Sequence, residues 1–395
     1  MGTKTKRVND MLDTTGPNQT LAGAQIITPE GVFEGAVDLE GGLITALRPG
    51  ARPAGATDLA GDFLIPGIVD VHTDHVEAHV FPRAGVQWDF LNALMAHDAV
   101  VIAGGTTTVL DSLCVGASMK RPERRDLLVP LVAALERGRA EGLFRGDHLL
   151  HLRCEICDPD TIALTDATIS SPLVRLVSVM DHTPGDRQSV DREHWLGRMA
   201  VDMGLEMTDA RAAMAELLDR SARVGAEVRA HVVARAQAAG LPLMSHDDRT
   251  VAQVDQANAE GAVVSEFPTT LEAAAHARAL GLSVVMGAPN LLRGGSQSGN
   301  VSLRALLEAD LCDILSSDYI PRSPLDAAFF IGLDDSLPQD LPRAIAMVTD
   351  APARLAGLSD RGRIAPGLRA DLVQVRRLGV HNQVVAVWRE GRRVY

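Results

Sequence analysis

The chain has 395 residues, 46% of them apolar and 23% charged, with a formal net charge of −13. That length suits two or three average domains, or one large barrel with a smaller partner. The composition is that of a soluble globular protein with a large core. The acidic balance argues against non-specific nucleic-acid binding, which needs a basic face. No apolar run approaches the ~20 residues that span a bilayer, so no membrane partner is expected.

In chain order, MGTKTKRVNDMLDTTGPNQT carries basic residues without an apolar h-region. It reads as a flexible extension over residues 1–19 and not as a signal peptide. Four cysteines in so long a chain do not make a disulfide framework, which points to a reducing cytoplasm. Short strands are expected at Ile26-Ile27, Val37–Leu39 and Leu43–Thr45, separated by turn signals at Glu30-Gly31 and Glu40–Gly42. The C-terminal segment has the same character, with strands at Ala370–Val375 and Val384–Trp388 and a hairpin turn at Glu390-Gly391. Residues 20–65 and 360–395 are therefore expected to build one small composite β-sandwich from both termini.

The middle, residues 66–359, alternates strands with helices. Strand-like runs recur at Ile68–His72, Thr106–Asp111, Leu149–Glu155, Val174–His182, Leu241–His246, Ala262–Phe267, Ser283–Pro289 and Asp313–Asp318. Helical stretches include Leu127–Arg139, Asp209–Val224, Glu227–Ala239, Leu271–Leu280 and Leu303–Ala309. Eight such strands argue for an α/β fold of the (β/α)8, TIM-like kind. A doubly wound sheet is the alternative, but no Gly-x-Gly-x-x-Gly follows the first strand. Residues 183–230, rich in charge and methionine, read as a helical insertion at the barrel mouth.

Active sites of such barrels lie at the C-terminal ends of the strands. There the chain places His72 and Asp74, then His151–Glu155, Asp181-His182, His246–Asp248 and Asp318. Residues two apart on a strand share a side, so His72 and Asp74 should act together. Imidazoles and carboxylates without thiolates suit Zn²⁺, Mn²⁺ or Fe²⁺. His72, Asp74, Glu155, His182, His246 and Asp318 are enough for two ions, with Glu155 as bridge. Asp318 could both bind metal and accept the proton of an activated water. Cys154-x-x-Cys157 is read as two buried cysteines, and His97 and His148 as structural.

The seventh strand runs into Gly287–Asn300, where Asn290, Arg293, Gly294, Gly295 and Ser296 form a glycine-rich anion-binding loop. Arg293 offers a bidentate phosphate partner. Arg83 and Arg187 are weaker candidates of the same kind.

The motif Pro66-Gly67-x-x-Asp70-x-His72-x-Asp74 and the ending Ala370–Val373 resemble the amidohydrolase superfamily. More closely, from about residue 22 to Tyr395 the chain resembles the PhnM family of α-D-ribose 1-methylphosphonate 5-triphosphate diphosphatases. The stretches carrying this are HTDHVEAHVFPRAGVQW, HLRCE, SVMDHTPGDRQ, SHDD, EFPTTLEAAAHA, MGAPNLLRGGSQSGNV and DILSSDY. The resemblance implies a divalent-metal hydrolase of the carbon–phosphorus lyase pathway that splits a small phosphorylated ribose phosphonate into its 5-phosphate and pyrophosphate. It implies the same six metal ligands, with Glu155 standing where many relatives use a carboxylated lysine. Barrels of this kind often pair, so a homo-oligomer is expected. The chain departs from the family pattern at Gln297, usually histidine, at Ala84, usually near a proline, and at Asp186, usually glutamine. An amide or cyclic-amide hydrolase, or an inactive assembly protein on the same scaffold, are the alternatives.

Overall fold

The computed structural model describes residues 16–83, 85–116, 123–296 and 299–395. Most of the expected N-terminal extension, Ala84 and Gln297 lie outside these residues. The chain opens with β1 (Gln19–Thr28), β2 (Gly31–Glu40), β3 (Leu43–Pro49), β4 (Thr57–Asp58) and β5 (Phe63–Pro66). The barrel strands follow: β6 (Ile68–Thr73), β7 (Thr106–Val115), β8 (Asp147–Glu155), β9 (Val174–Met180), β10 (Leu243–His246), β11 (Ala262–Glu266), β12 (Ser283–Gly287) and β13 (Ile314–Ser316). The chain ends in β14 (Leu372–Leu378), β15 (His381–Arg389) and β16 (Arg392–Arg393).

β6 to β13 pair in sequence order as one parallel sheet, and a bridge between Thr73 and Asp318 brings the last strand back to the first. Each of the eight strands supplies one side chain to a central apolar plug: Val71, Leu110, Leu149, Leu176, Met244, Val264, Val285 and Ile314. Such a layer fills a barrel of this size and leaves the chemistry to the strand ends. The helices cover the outer face, with Leu94, Leu131, Leu135, Val228 and Val232 among the buried contacts.

The terminal strands form one mixed sheet in the order β16-β15-β14-β5-β1-β2-β3, with β4 alongside β1. The two ends of the chain thus share a core that includes Leu21, Ile26, Val37, Ile44, Leu64, Leu372 and Trp388. An ionic knot ties this sheet to the barrel floor. Asp147, at the start of β8, meets Arg361 at 2.6 Å, Arg369 at 2.7 Å and Arg389 at 2.7 Å.

Between β9 and β10 lie two helices, Arg192–Met203 and Met207–Ala238. The sequence suggests a break near Gly225, but one 32-residue helix runs through it. Glycine costs a helix only about 1 kcal/mol. Here the backbone packs near Ile156, and the buried face continues through Val228, Val232 and Ala236.

Candidate metal centre

His72 ends the first barrel strand, where the β6/β7 register shifts between Asp70 and Thr73. This irregularity suspends the simple two-residue alternation. Val71 joins the central plug, while His72 also meets the barrel interior. Asp70 is buried beneath it and accepts from the backbone N–H groups of His72 and Ser317 at 3.3 and 3.1 Å. The carboxylate of Asp70 therefore links the first and last strand ends.

Three buried groups define the centre. Glu266, at the end of β11, receives His72 Nδ1 on one oxygen and His246 Nδ1 on the other, each at 2.6 Å. Both imidazoles are thereby turned so that Nε2 is the nitrogen left over. His72 Nε2 and Asp247 Oδ2 are buried with no hydrogen-bond partner. Such orphans are rare in folded proteins and mark a place for an ion or an ordered water. Burial would lower the His72 imidazole, but the Glu266 carboxylate outweighs it and raises the group to about 10.

Two clusters share this rim. His72, Asp74 and Asp318 offer ligand atoms within 4.8 Å of one another, as do His182, His246 and Asp247. Imidazole and carboxylate donors in this mix fit a divalent cation. Asp74 also pairs with Arg153. Burial would raise the Asp74 carboxyl, but the guanidinium holds it well below the usual carboxylate range. Asp318 behaves oppositely: burial, with Asp74 adding to it, pushes the carboxyl up to about 6. Asp247 and Phe267, directly after the fifth and sixth strands, and Asp318, two residues past the eighth, all hold positive φ, at 58°, 55° and 54°. Left-handed backbone at three non-glycine residues is the kind of strain that clusters at functional sites.

Five of the six expected metal ligands thus fall into the two clusters. Glu155 stands apart. Its Oε2 receives His182 Nδ1 at 2.6 Å and its Oε1 accepts the Cys157 thiol at 3.1 Å. In this geometry it orients His182, as Glu266 orients the other two imidazoles. The Cys154-x-x-Cys157 pair consists of free buried thiols, and burial pushes Cys157 up. His151 has both ring nitrogens engaged, Nδ1 near Val71 O and Nε2 on Ser178 Oγ at 2.9 Å.

A cavity of about 430 Å³ opens above the centre, lined by His72, Asp74, Arg124, Arg153, Glu155 and Asp318 among others. Arg124 there is paired with Glu77 at 2.7 Å, as Arg153 is with Asp74. A smaller cavity of about 80 Å³ adjoins it at Phe267, Asp318 and Tyr319 and is lined by Asn290, Arg293, Gly295 and Ser296. Arg293 is exposed and donates to Tyr319 Oη at 3.1 Å. The expected loop begins as a short helix, Ala288–Leu292, because Pro289 favours a helix start. Asn290 is spent on the fold: its Oδ1 accepts from Leu303 N at 2.8 Å and its Nδ2 donates to Val301 O. Gly294 is exposed and lines neither cavity, and Arg83 lies on an exposed turn outside both. Arg187 is no anion partner either. It is buried, donating to Asp248 at 2.8 Å and to the His246 carbonyl at 2.9 Å, and so fixes the end of β10.

Sequence reasoning missed Glu266, and it named Asp247 and Arg153 only within the strand-end runs His246–Asp248 and His151–Glu155, without a role for either. Glu266 carried the same signal as the others, a carboxylate at a strand end. Arg153 showed no signal apart from its place in HLRCE.

The model of the amidohydrolase family matches residues 181–395. The fold is that of a 5-methylcytosine deaminase from Klebsiella pneumoniae, with a TM-score of 0.63 and 16% identity over 95% of this chain and 98% of that one. It is also that of an N-acetyl-D-glucosamine-6-phosphate deacetylase from Mycobacterium smegmatis, with a TM-score of 0.58 and 19% identity over 95% and 100%. In sequence the chain is 40% identical over 374 residues to the alpha-D-ribose 1-methylphosphonate 5-triphosphate diphosphatase of Escherichia coli (strain K12), covering 94% of this chain and 98% of the relative. The chain belongs to the amidohydrolase family and, within it, to the PhnM family. No helix among the described residues is long and apolar enough to cross a membrane.

Proposed function

We propose that the protein hydrolyses α-D-ribose 1-methylphosphonate 5-triphosphate to the 5-phosphate and pyrophosphate, in the cytoplasm, as a step of phosphonate catabolism. The observation that carries this reading is the end-to-end likeness to the Escherichia coli diphosphatase. The site supports it. His72, Asp74 and Asp318 would hold one divalent ion, and His182, His246 and Asp247 a second, with zinc best suited and Mn²⁺ or Fe²⁺ as alternatives. When bound, such ions supply Lewis-acid polarisation of phosphoryl oxygens and a more acidic water.

The chain's own residues do the rest. Glu266 and Glu155 fix the imidazole tautomers. Asp318, beside His72 and Asp74 at the end of the eighth strand, takes the proton of the attacking water. Arg153 and Arg124 are each neutralised by an acid of the chain, so the triphosphate gains little from them. Arg293, at the neighbouring cavity with Tyr319, would receive the departing pyrophosphate, together with the backbone of Gly295 and Ser296. The bond broken is the anhydride between the first and second phosphoryl groups.

Phosphorus NMR of the metal-loaded protein with this substrate tests the reading. Release of pyrophosphate, abolished by a chelator, is expected, and Asp318→Asn should lower kcat by about 10²–10⁴-fold with the fold retained. Release of single phosphates would keep the centre and move the cleaved bond. No turnover at full metal occupancy would turn the assignment to an amide or cyclic-amide hydrolase.

A further inference from the structure

His75 and His79 follow the His72-x-Asp74 motif and take no part in the reaction derived above. They stand four residues apart at the start and end of the helical turn Val76–Val80 and face one another, with ring centroids 4.9 Å apart and His79 Nε2 3.2 Å from His75 Nδ1. The helix Phe90–Ala103 brings a third ring against both: His97 lies 5.8 Å from His75 and 5.7 Å from His79. The three imidazoles offer nitrogens that all lie within 4.8 Å of one another. His97 is completely buried, its Nε2 sits 2.9 Å from Asp111 Oδ1, and its Nδ1 has no hydrogen-bond partner. His75 and His79 are half-buried, so the cluster is open to solvent on one side.

A buried nitrogen without a partner costs free energy unless something fills its place. Asp111 accepts the Nε2 proton of His97, which leaves the lone pair on Nδ1. Its other oxygen accepts from His148 Nδ1 at 2.7 Å, so the carboxylate is held on both sides. A carboxylate behind an imidazole is the usual outer support of a metal-bound histidine. Three imidazoles with one open direction suit Zn²⁺, which takes four tetrahedral ligands and accepts water as the fourth. None of the three rings lines the cavity over the barrel centre.

We propose that His75, His79 and His97 form a second, peripheral zinc site, with Asp111 positioning His97. Bound zinc pins the turn Val76–Val80 to the helix Phe90–Ala103 and so steadies the segment that leaves Asp74. The site does not depend on which reaction the barrel centre performs.

The test uses the full chain, stripped with a chelator and equilibrated against buffered free Zn²⁺. The wild type should hold one more zinc per chain than the double variant His75→Asn, His79→Gln, whose two residues are half-exposed and tolerate change. Crystals of the zinc-loaded wild type should show an anomalous peak at the zinc edge among the three rings. The double variant should lose that peak and keep the one at the barrel centre. Asp111→Asn should weaken this zinc about 10–100-fold. Equal zinc content in wild type and variant, or anomalous peaks confined to the barrel centre, would overturn the proposal.

Discussion

Glu266→Gln replaces a carboxylate by an amide of nearly the same shape at a fully buried point of the centre. The carboxylate accepts from two imidazole Nδ1–H groups at once, each at 2.6 Å. The amide can accept from only one, because its other end is an NH₂ group. The second imidazole must then turn its Nδ1 lone pair toward that NH₂ and carry its proton on Nε2. A protonated Nε2 cannot bind metal, so one of His72 and His246 is lost as a ligand. Removing such a support typically weakens a metal site about 10–100-fold, or roughly 1.4–2.7 kcal/mol. The assay is competition for Zn²⁺ or Mn²⁺ against a chromophoric chelator, with circular dichroism to check the fold. Activity should return in part at high metal concentration. Unchanged metal affinity in folded Glu266→Gln would refute the argument that Glu266 sets both tautomers.

Gly287 lies so close to the centre that a Cβ there would sit 3.3 Å from Asp318 Oδ2. Gly287→Ala should lower kcat by displacing Asp318, with little change in Tm, which steady-state kinetics and thermal melting would check. Arg293→Ala should raise KM for the triphosphate by roughly 10-fold or more, as expected for loss of a charge-assisted contact, and change kcat less. The stability of the sheet-to-barrel joint should depend on pH through Asp147. Burial would raise this carboxyl, but Arg369, Arg389 and Arg361 hold it well below the usual range. A depressed carboxyl contributes stability above its unfolded value of ~3.9 and loses it as pH falls through the folded one. Asp147→Asn should therefore cost about 3–5 kcal/mol in urea unfolding at pH 7, and the gap to wild type should shrink below pH 4. A gap that stays constant down to pH 2 would refute this.

The eight strands were legible because each is a local signal: a β-branched run, a turn signal and a helix-length spacing. The same local rule put His72, Asp74, His182, His246 and Asp318 at one rim, because every parallel strand of a barrel ends on the same side. The strand character of both chain ends was legible for a similar reason, but the expected sandwich is one mixed sheet, because β5 pairs with β14 on one side and β1 on the other. Pairing within the rim was not local. Glu266 meets His72 across 194 residues, and only the closing of β13 onto β6 brings the first, fifth and sixth strand ends around one point. Arg187 looked like a surface cation in a loop, yet barrel closure buries it under Asp248. His75, His79 and His97 were unremarkable singly; the packing of two helices over β7 puts their rings together. Composition and periodicity, in short range, determined which residues stand at the mouth of the barrel. Tertiary closure decided which of them face each other, because a side chain's partner is chosen by distance in space and the sequence measures distance only along the chain.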